Sequence, residues 1–344
     1  MKRKVFEIRD IDKQYFERVI KDFLPDKIID IHTHVFYERF RARKREKHNV
    51  TWPSLVAREN PVEDLLETYR LMFPGKKVTP VIFGNLTSKE DDFEGGNQYI
   101  RECSGKHHLP SLYFARPTES AHLLEKKLTK EGFLGVKVYL SLANDRIPVN
   151  DITIFDYLPH HQLEILDHHH GIAMLHIPRS GRLKDPVNLE QMTAIEKRYP
   201  NVKLIIAHVG RAYCKEDLDH AFEHLSSTEH MLFDISANTN ELVFMALIRA
   251  VGPKRILFGS DLPVTRMRMR RICENGRYVN IIPPGLYGDI SGDPHMREAT
   301  PEEGEKLSFF LYEEISAFKR AAEKMKLSRQ DIEDVFYNNA KRIL

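Results

Sequence analysis

The chain has three cysteines in 344 residues, Cys103, Cys214 and Cys273. They are odd in number and form no CxxC pair, so neither a disulfide framework nor a thiolate zinc site is expected. Charge of one sign is lacking as well. Fifty-two Lys and Arg face 50 Asp and Glu, for a formal net charge of +2. A bulk nucleic-acid or membrane-surface role is not indicated by that balance. No stretch approaches the ~20 apolar residues of a membrane span. The N-terminal MKRKVFEIRDIDKQYF carries basic residues with no apolar run behind them, so it does not read as a signal peptide. A cytoplasmic protein is the default expectation. No internal repeat or low-complexity tract stands out.

What is present is a rhythm. The chain is 42% hydrophobic, enough for a large core. Eight short apolar runs recur: 27–35, 78–85, 109–116, 134–141, 171–178, 202–210, 231–237 and 255–263. Their length and their β-branched and aliphatic content read as strands. Helical patterns separate them. Asn60 is placed to cap a helix opening at Pro61, Gly171 to stop one after 163–170, and Pro200 to follow another over 188–199. Eight near-continuous apolar strands alternating with helices predict an α/β fold. Its form is a (β/α)8 TIM-type barrel with loop insertions after strands 1 and 8. An open doubly wound sheet is the rival, but no GxGxxG follows the first strand. Residues 1–26 read as an N-terminal helical extension and 27–344 as a single barrel domain. The insertions, 36–60 and 264–305, would lie on the catalytic face and are candidate lids, with plain surface loops as the alternative. Trp52, the only tryptophan, falls in the first and would cover the pocket or anchor the loop.

Strand alternation puts Asp30, His32 and His34 on one face, with the two histidines about 6.6–6.8 Å apart along the strand. Two imidazoles at one strand end suit a divalent ion, although HxH alone is equally met by a pair of satisfied polar side chains. Position strengthens the reading. His176 ends the fifth run, His208 the sixth, and Asp261 the eighth after Gly259-Ser260. In a closed barrel all of these point at one mouth. The run His168, His169 and His170 precedes the fifth strand, at the opposite end of the barrel, and reads as a solvated helix terminus.

The order IDIHTH, two strand-end histidines and LFGSDLP, with DVFYNNAKRIL as a closing helix, resembles the amidohydrolase superfamily. It is most similar to the branch of small decarboxylases, lactonases and hydratases with a single metal. The resemblance implies that His32, His34 and His176 are metal ligands. Asp261 would be a ligand or a proton acceptor beside the metal, and His208 would polarise substrate or hold the attacking water. It also implies that Asp30 orients a ligand from below, against a purely structural hydrogen bond. In some superfamily members a carboxylated lysine on the fourth strand bridges two metals. Here Lys137 is read as mid-strand, reaching toward the site or filling the barrel, with Tyr139 and Ser141 on the same face nearer the mouth. One divalent ion is expected, zinc first and manganese as the alternative.

A bound divalent ion acidifies water to a pKa of about 7, Asp261 can take the proton, and His208 can stabilise an oxyanion. This describes a metal-dependent hydrolase of an amide or lactone. The same groups could protonate a carbon and release carbon dioxide, making a decarboxylase of a small unsaturated carboxylate. A non-catalytic ligand-binding barrel is the reading from another class. Arg116, Arg179, Arg182, Arg211, Arg266, Arg268, Arg270 and Arg271 all follow strand ends. Guanidinium groups there suggest a small anionic substrate, with Arg116, Arg179, Arg211 and Tyr139 binding it; salt bridges to loop acids such as Asp185 and Asp289 are the rival use. The expected partner is a small carboxylate rather than nucleic acid or membrane. Homo-oligomers are compatible with insertions of this length.

Overall fold

The structure, a computed structural model, describes residues 5–42 and 52–344. Part of the first insertion therefore lies outside the described residues. Eight parallel strands succeed one another: β1 (Lys27–His34), β2 (Lys77–Phe83), β3 (Tyr113–Phe114), β4 (Gly135–Val138), β5 (Ile172–Leu175), β6 (Lys203–Ile206), β7 (Leu232–Asp234) and β8 (Ile256–Leu257). β1 pairs with β2, and β3 to β8 pair in sequence order. Backbone hydrogen bonds close both remaining seams. Between β2 and the start of β3 they are Ile82 N to Pro110 O at 2.9 Å and Leu112 N to Ile82 O at 3.0 Å. Between β8 and β1 they are Ile31 N to Phe258 O at 3.0 Å, Asp261 N to His32 O at 2.9 Å and His34 N to Leu262 O at 2.8 Å. The chain folds as the expected (β/α)8 barrel.

Its apolar runs are explained by burial on both faces. Ile29, Ile31, Val81, Phe83, Met174, Ile205 and Leu257 form an interior cluster that the C-terminal Ala340, Tyr337 and Ile343 pack against. A larger cluster fills the space between strands and helices, with Leu65 and Met72 from the helix Val62–Met72 and Leu163 and Leu166 from His160–His168. Local signals set several helix starts. The Asp185 side chain accepts from Val187 N and Asn188 N, with Pro186 in the first turn of Pro186–Arg198. Pro61 rather than Asn60 occupies the N-cap position of Val62–Met72. Asn60 instead donates from Nδ2 to His34 O at 2.7 Å, which ties the first insertion to the end of β1.

Four expectations change. The observed strands are shorter than the apolar runs, because several runs continue as turns that carry side chains over the rim. Lys137 is thereby next to last in β4 rather than mid-strand, and Ser141 is exposed, bonded to Thr87 O. The last insertion is not simply loop: β9 (Arg270–Glu274), β10 (Arg277–Ile282) and β11 (Met296–Glu298) form a small sheet. Cys214 and Cys273 form a disulfide with Cα atoms 5.9 Å apart. It joins the loop after β6 to β9 across 59 residues, a pairing that close Cys spacing could not reveal. Finally, the β1–β2 register shifts between Asp30 and Thr33, so strict alternation fails there.

The N-terminal extension is helical over Asp10–Tyr15 and Phe16–Ile20. Its buried Asp12 pairs with Arg268 at 2.6 Å and docks the extension on the last insertion. Trp52 anchors rather than covers: its Nε1 donates to Asp293 Oδ2 at 2.9 Å. No helix of the described residues is long and apolar enough to cross a membrane.

At Gly135, which pairs with Ile172, β4 leaves no room for a side chain against β5. A Cβ there would stand 2.0 Å from Ile172 O, a backbone atom that cannot rotate away. Gly135→Ala should destabilise the fold by about 3 kcal/mol or more, read as a lowered urea midpoint at unchanged slope. A midpoint equal to wild type would show that the strands can part at no cost.

Candidate functional site

His32, near the end of β1, is fully buried, and its Nδ1 lies 2.9 Å from Asp234 Oδ2 at the end of β7. His34 Nδ1 lies 2.8 Å from Gly84 O. A carbonyl only accepts, so His34 Nδ1 carries the proton and its Nε2 keeps the lone pair. The carboxylate imposes the same tautomer on His32. Both Nε2 atoms turn to Asp261 Oδ1, at 3.6 Å from His32 and 3.4 Å from His34. These three ligand atoms all lie within 4.8 Å of one another. Two locked imidazole lone pairs facing one carboxylate oxygen form a donor set for a divalent ion.

His176, one residue past β5, brings its ring centroid to 5.4 Å from that of His208. Its Nδ1 is buried without a hydrogen-bond partner among the described residues. His176 therefore lines the same cavity with an unpartnered nitrogen, but its ring does not join the three atoms that lie within 4.8 Å of one another.

His208 stands with its ring 4.6 Å from that of His32. Its Nδ1 is 2.7 Å from Ser236 Oγ, and Ser236 Oγ donates to Asp234 Oδ1 at 2.5 Å. The Ser236 proton is committed to Asp234, so the His208 Nδ1–H donates to Ser236. In the neutral ring Nε2 is then an acceptor.

Asp234 was not anticipated from the sequence. It is an acid within an apolar run, as Asp261 is, and that pattern could have found it. Its two oxygens serve His32 Nδ1 on one side and His208 N and Ser236 on the other. Asp30, by contrast, meets His32 at its main chain. It accepts from the backbone of Ser260 at 2.9 Å and of His32 at 3.2 Å, and from the Tyr69 hydroxyl at 2.6 Å. It joins the two ligand-bearing segments through their main chains, and burial pushes its carboxyl up to about 7.

Lys137 Nζ reaches to 3.3 Å from His32 Nε2. Burial pulls its ammonium down to about 8. Burial, reinforced by Lys137 beside His32 and by Arg211 beside His176, pulls both imidazoles well below their ordinary value. They stay neutral, as ligands must. Burial would raise the Asp261 carboxyl, but the imidazoles of His34, His208 and His32 gathered around it outweigh that, leaving Asp261 well below the usual carboxylate range.

These groups floor a cavity of about 410 Å³. Its walls include Phe36, Arg41, Pro53 and Ser54 from the first insertion, Asn85 and Thr87 after β2, and Tyr139 and Tyr213. Of the expected substrate-binding residues, Tyr139 is in the wall. The arginines are drawn elsewhere. Arg116 is exposed and pairs with Glu119 at 3.2 Å, Arg179 pairs with Asp185 at 3.0 Å, and Arg182 with Asp217 at 2.9 Å. Arg211 donates to Ile177 O and Pro178 O behind the wall. Among the described residues, the guanidinium that lines the cavity is Arg41, 4.6 Å over the Phe36 ring. The sequence showed it only as one of many charges in the insertion.

The amidohydrolase family model matches residues 29–344. Among solved structures, a dihydroxybenzoic acid decarboxylase from Polaromonas with bound manganese and the inhibitor 2-nitroresorcinol is 16% identical, with a TM-score of 0.53 over 93% of this chain and 97% of that one. An amidohydrolase from Burkholderia multivorans with bound zinc is 15% identical, with a TM-score of 0.56 over 92% and 98%. A probable 2-pyrone-4,6-dicarboxylic acid hydrolase from Acinetobacter baumannii with citric acid bound is 16% identical, with a TM-score of 0.53 over 92% and 98%. No curated protein matches the chain.

Asp234→Asn keeps the shape but puts an amide where His32 and Ser236 need a carboxylate. Metal affinity should fall by about 10–100-fold, measured by competition with a chromophoric chelator. Unchanged affinity would remove Asp234 from the centre.

Proposed function

The chain belongs to the amidohydrolase family, and from its site we propose a metal-dependent hydrolase that directs water at the amide or lactone carbonyl of a small, anionic substrate. The observation that carries this reading is the convergence of His32 Nε2, His34 Nε2 and Asp261 Oδ1, with both opposite ring nitrogens already committed. His32, His34, His176 and Asp261 would hold one divalent ion, zinc by preference for imidazole and carboxylate, with manganese as the alternative. When bound, the ion supplies Lewis acidity toward a carbonyl and toward water.

The residues supply the proton path. Asp261, held ionised, accepts a proton at its carboxylate and returns it to the leaving group. His208 Nε2 accepts a hydrogen bond while the ring is neutral; once protonated it donates to a developing oxyanion. Lys137 keeps a positive charge against the His32 edge, and Tyr139 closes the wall beside His176, their ring centroids 4.9 Å apart. A cavity of about 410 Å³ suits a small molecule. Arg41 is the wall residue suited to an anionic group, because a guanidinium pairs two donors with a carboxylate. Decarboxylation on the same scaffold is the second reading, since Asp261 beside the metal could equally deliver its proton to carbon.

Metal analysis of purified protein should give one zinc or manganese per chain, with His32→Ala and His34→Ala losing both metal and turnover. Wild type would then be assayed on lactones, amides and unsaturated dicarboxylates for release of acid or of carbon dioxide. Acid alone supports hydrolysis; carbon dioxide assigns the lyase reading. Metal-loaded protein inert across the panel would favour a binding barrel.

Arg41→Ala should raise KM about tenfold for anionic substrates and leave it unchanged for neutral analogues. Arg179→Lys, at an arginine bound to Asp185, should change neither. An equal loss on both substrate classes would sink the charge-recognition role.

A further inference from the structure

Tyr213 stands five residues beyond His208 and lines the cavity. Its ring is fixed from behind. The Tyr278 ring meets it edge-on with centroids 4.9 Å apart, and the Arg271 and Arg182 guanidiniums lie 4.7 and 5.3 Å from its centroid. Its main chain is fixed too: N donates to Asp217 Oδ2 at 3.0 Å, and O accepts from Asn240 Nδ2 at 3.0 Å. The next residue, Cys214, is buried and disulfide-bonded to the exposed Cys273 of β9. Cys273 Sγ lies 3.3 Å from Tyr213 O. A side chain constrained this heavily, whose hydroxyl has no protein partner among the described residues, is a donor held ready for something in the cavity. Burial pushes its phenol up to about 12, so the donor keeps its proton at neutral pH.

We propose that Tyr213 is a specificity-determining residue that donates its hydroxyl hydrogen bond to an acceptor oxygen of the substrate, a carboxylate or carbonyl, and that the Cys214–Cys273 disulfide positions it. The inference rests on reading the cavity as a metal-dependent active site. Reduction by a dithiol breaks the S–S bond. Each cysteine gains a hydrogen while the dithiol closes to its own cyclic disulfide. The wall then keeps Arg271, whose Nη1 donates to Ala237 O and Nε to Asn280 Oδ1, but loses the covalent tie beside Tyr213.

The test uses the full chain loaded with metal and 4-nitrocatechol, a coloured probe that ligates metal through oxygen, titrated by absorbance. Tyr213→Phe should weaken the probe about tenfold at unchanged metal content. Wild type reduced with dithiothreitol, and Cys273→Ser, should weaken it to a similar degree. Cys103→Ala, which removes the remaining thiol, should not. Trp52 packs in one cluster with Met267, Met296 and Phe310 beside the β9–β10 sheet, so its emission should shift on reduction and recover on reoxidation. Probe binding unchanged in Tyr213→Phe would overturn the recognition role. Binding and emission unchanged after reduction to three free thiols would overturn the positioning role. No probe complex in metal-loaded wild type would instead overturn the active-site reading on which both depend.

Discussion

The carboxylate of Asp234 is the contact on which the centre depends. It is fully buried at the end of β7, where an unpaired charge would be untenable. It persists because one oxygen takes His32 Nδ1 and the other takes His208 N, Ser236 N and Ser236 Oγ. A single side chain thereby sets the tautomer of His32 on β1 and holds the backbone of His208 after β6. The packing around it leaves no slack. A Cβ on Gly259 would meet His32 Cβ at 2.9 Å and Asp234 Cβ at 3.4 Å, so the residue before Ser260 must stay bare for the strands to close on one another.

Around that hub the backbone bends hard. His208, Val209, Arg211, Ala237 and Asp261 all adopt positive φ, from 39° at Val209 to 83° at His208. Each such non-glycine residue costs on the order of 1–3 kcal/mol and survives only where the surroundings over-determine it. They are over-determined here. Asp261 N is held by His32 O, and Ala237 N donates to the buried Glu314 while Ala237 O accepts from Arg271. The turns lift His208 and Asp261 beyond the last ladder residues and aim them inward, which a continuing strand could not do.

This explains what was legible in the sequence. The barrel, and the gathering of five strand-end residues around one cavity, could be read because the C-terminal ends of barrel strands meet at one mouth. Other features needed three dimensions. Asp30 looked aligned with His32 until the register shift broke the alternation. The arginines looked like an anion ring, but their acids arrive from nearby loops: Glu119 is three residues from Arg116, and Asp185 six from Arg179. The disulfide partners are separated by two α-helices and two strands. Asp234 lies in mid-run in MLFDISA, where nothing in the sequence alone tells a site carboxylate from a structural acid.

The charges on the cavity floor carry the last step. With His32 and His176 neutral, the carboxylate of Asp261 on the floor and that of Asp234, buried against His32 Nδ1, stand against the ammonium of Lys137, a net of one negative charge. A divalent ion reverses that to one net positive charge, and Arg211 behind the wall adds to the same potential at His176. A buried centre of that sign is poorly screened and favours an anion over a neutral molecule of equal shape. An anionic preference therefore does not require the arginine ring expected from the sequence. The floor supplies the sign of the field, and Arg41 and Tyr213 on the walls are the groups proposed to fix where the substrate's oxygen atoms lie.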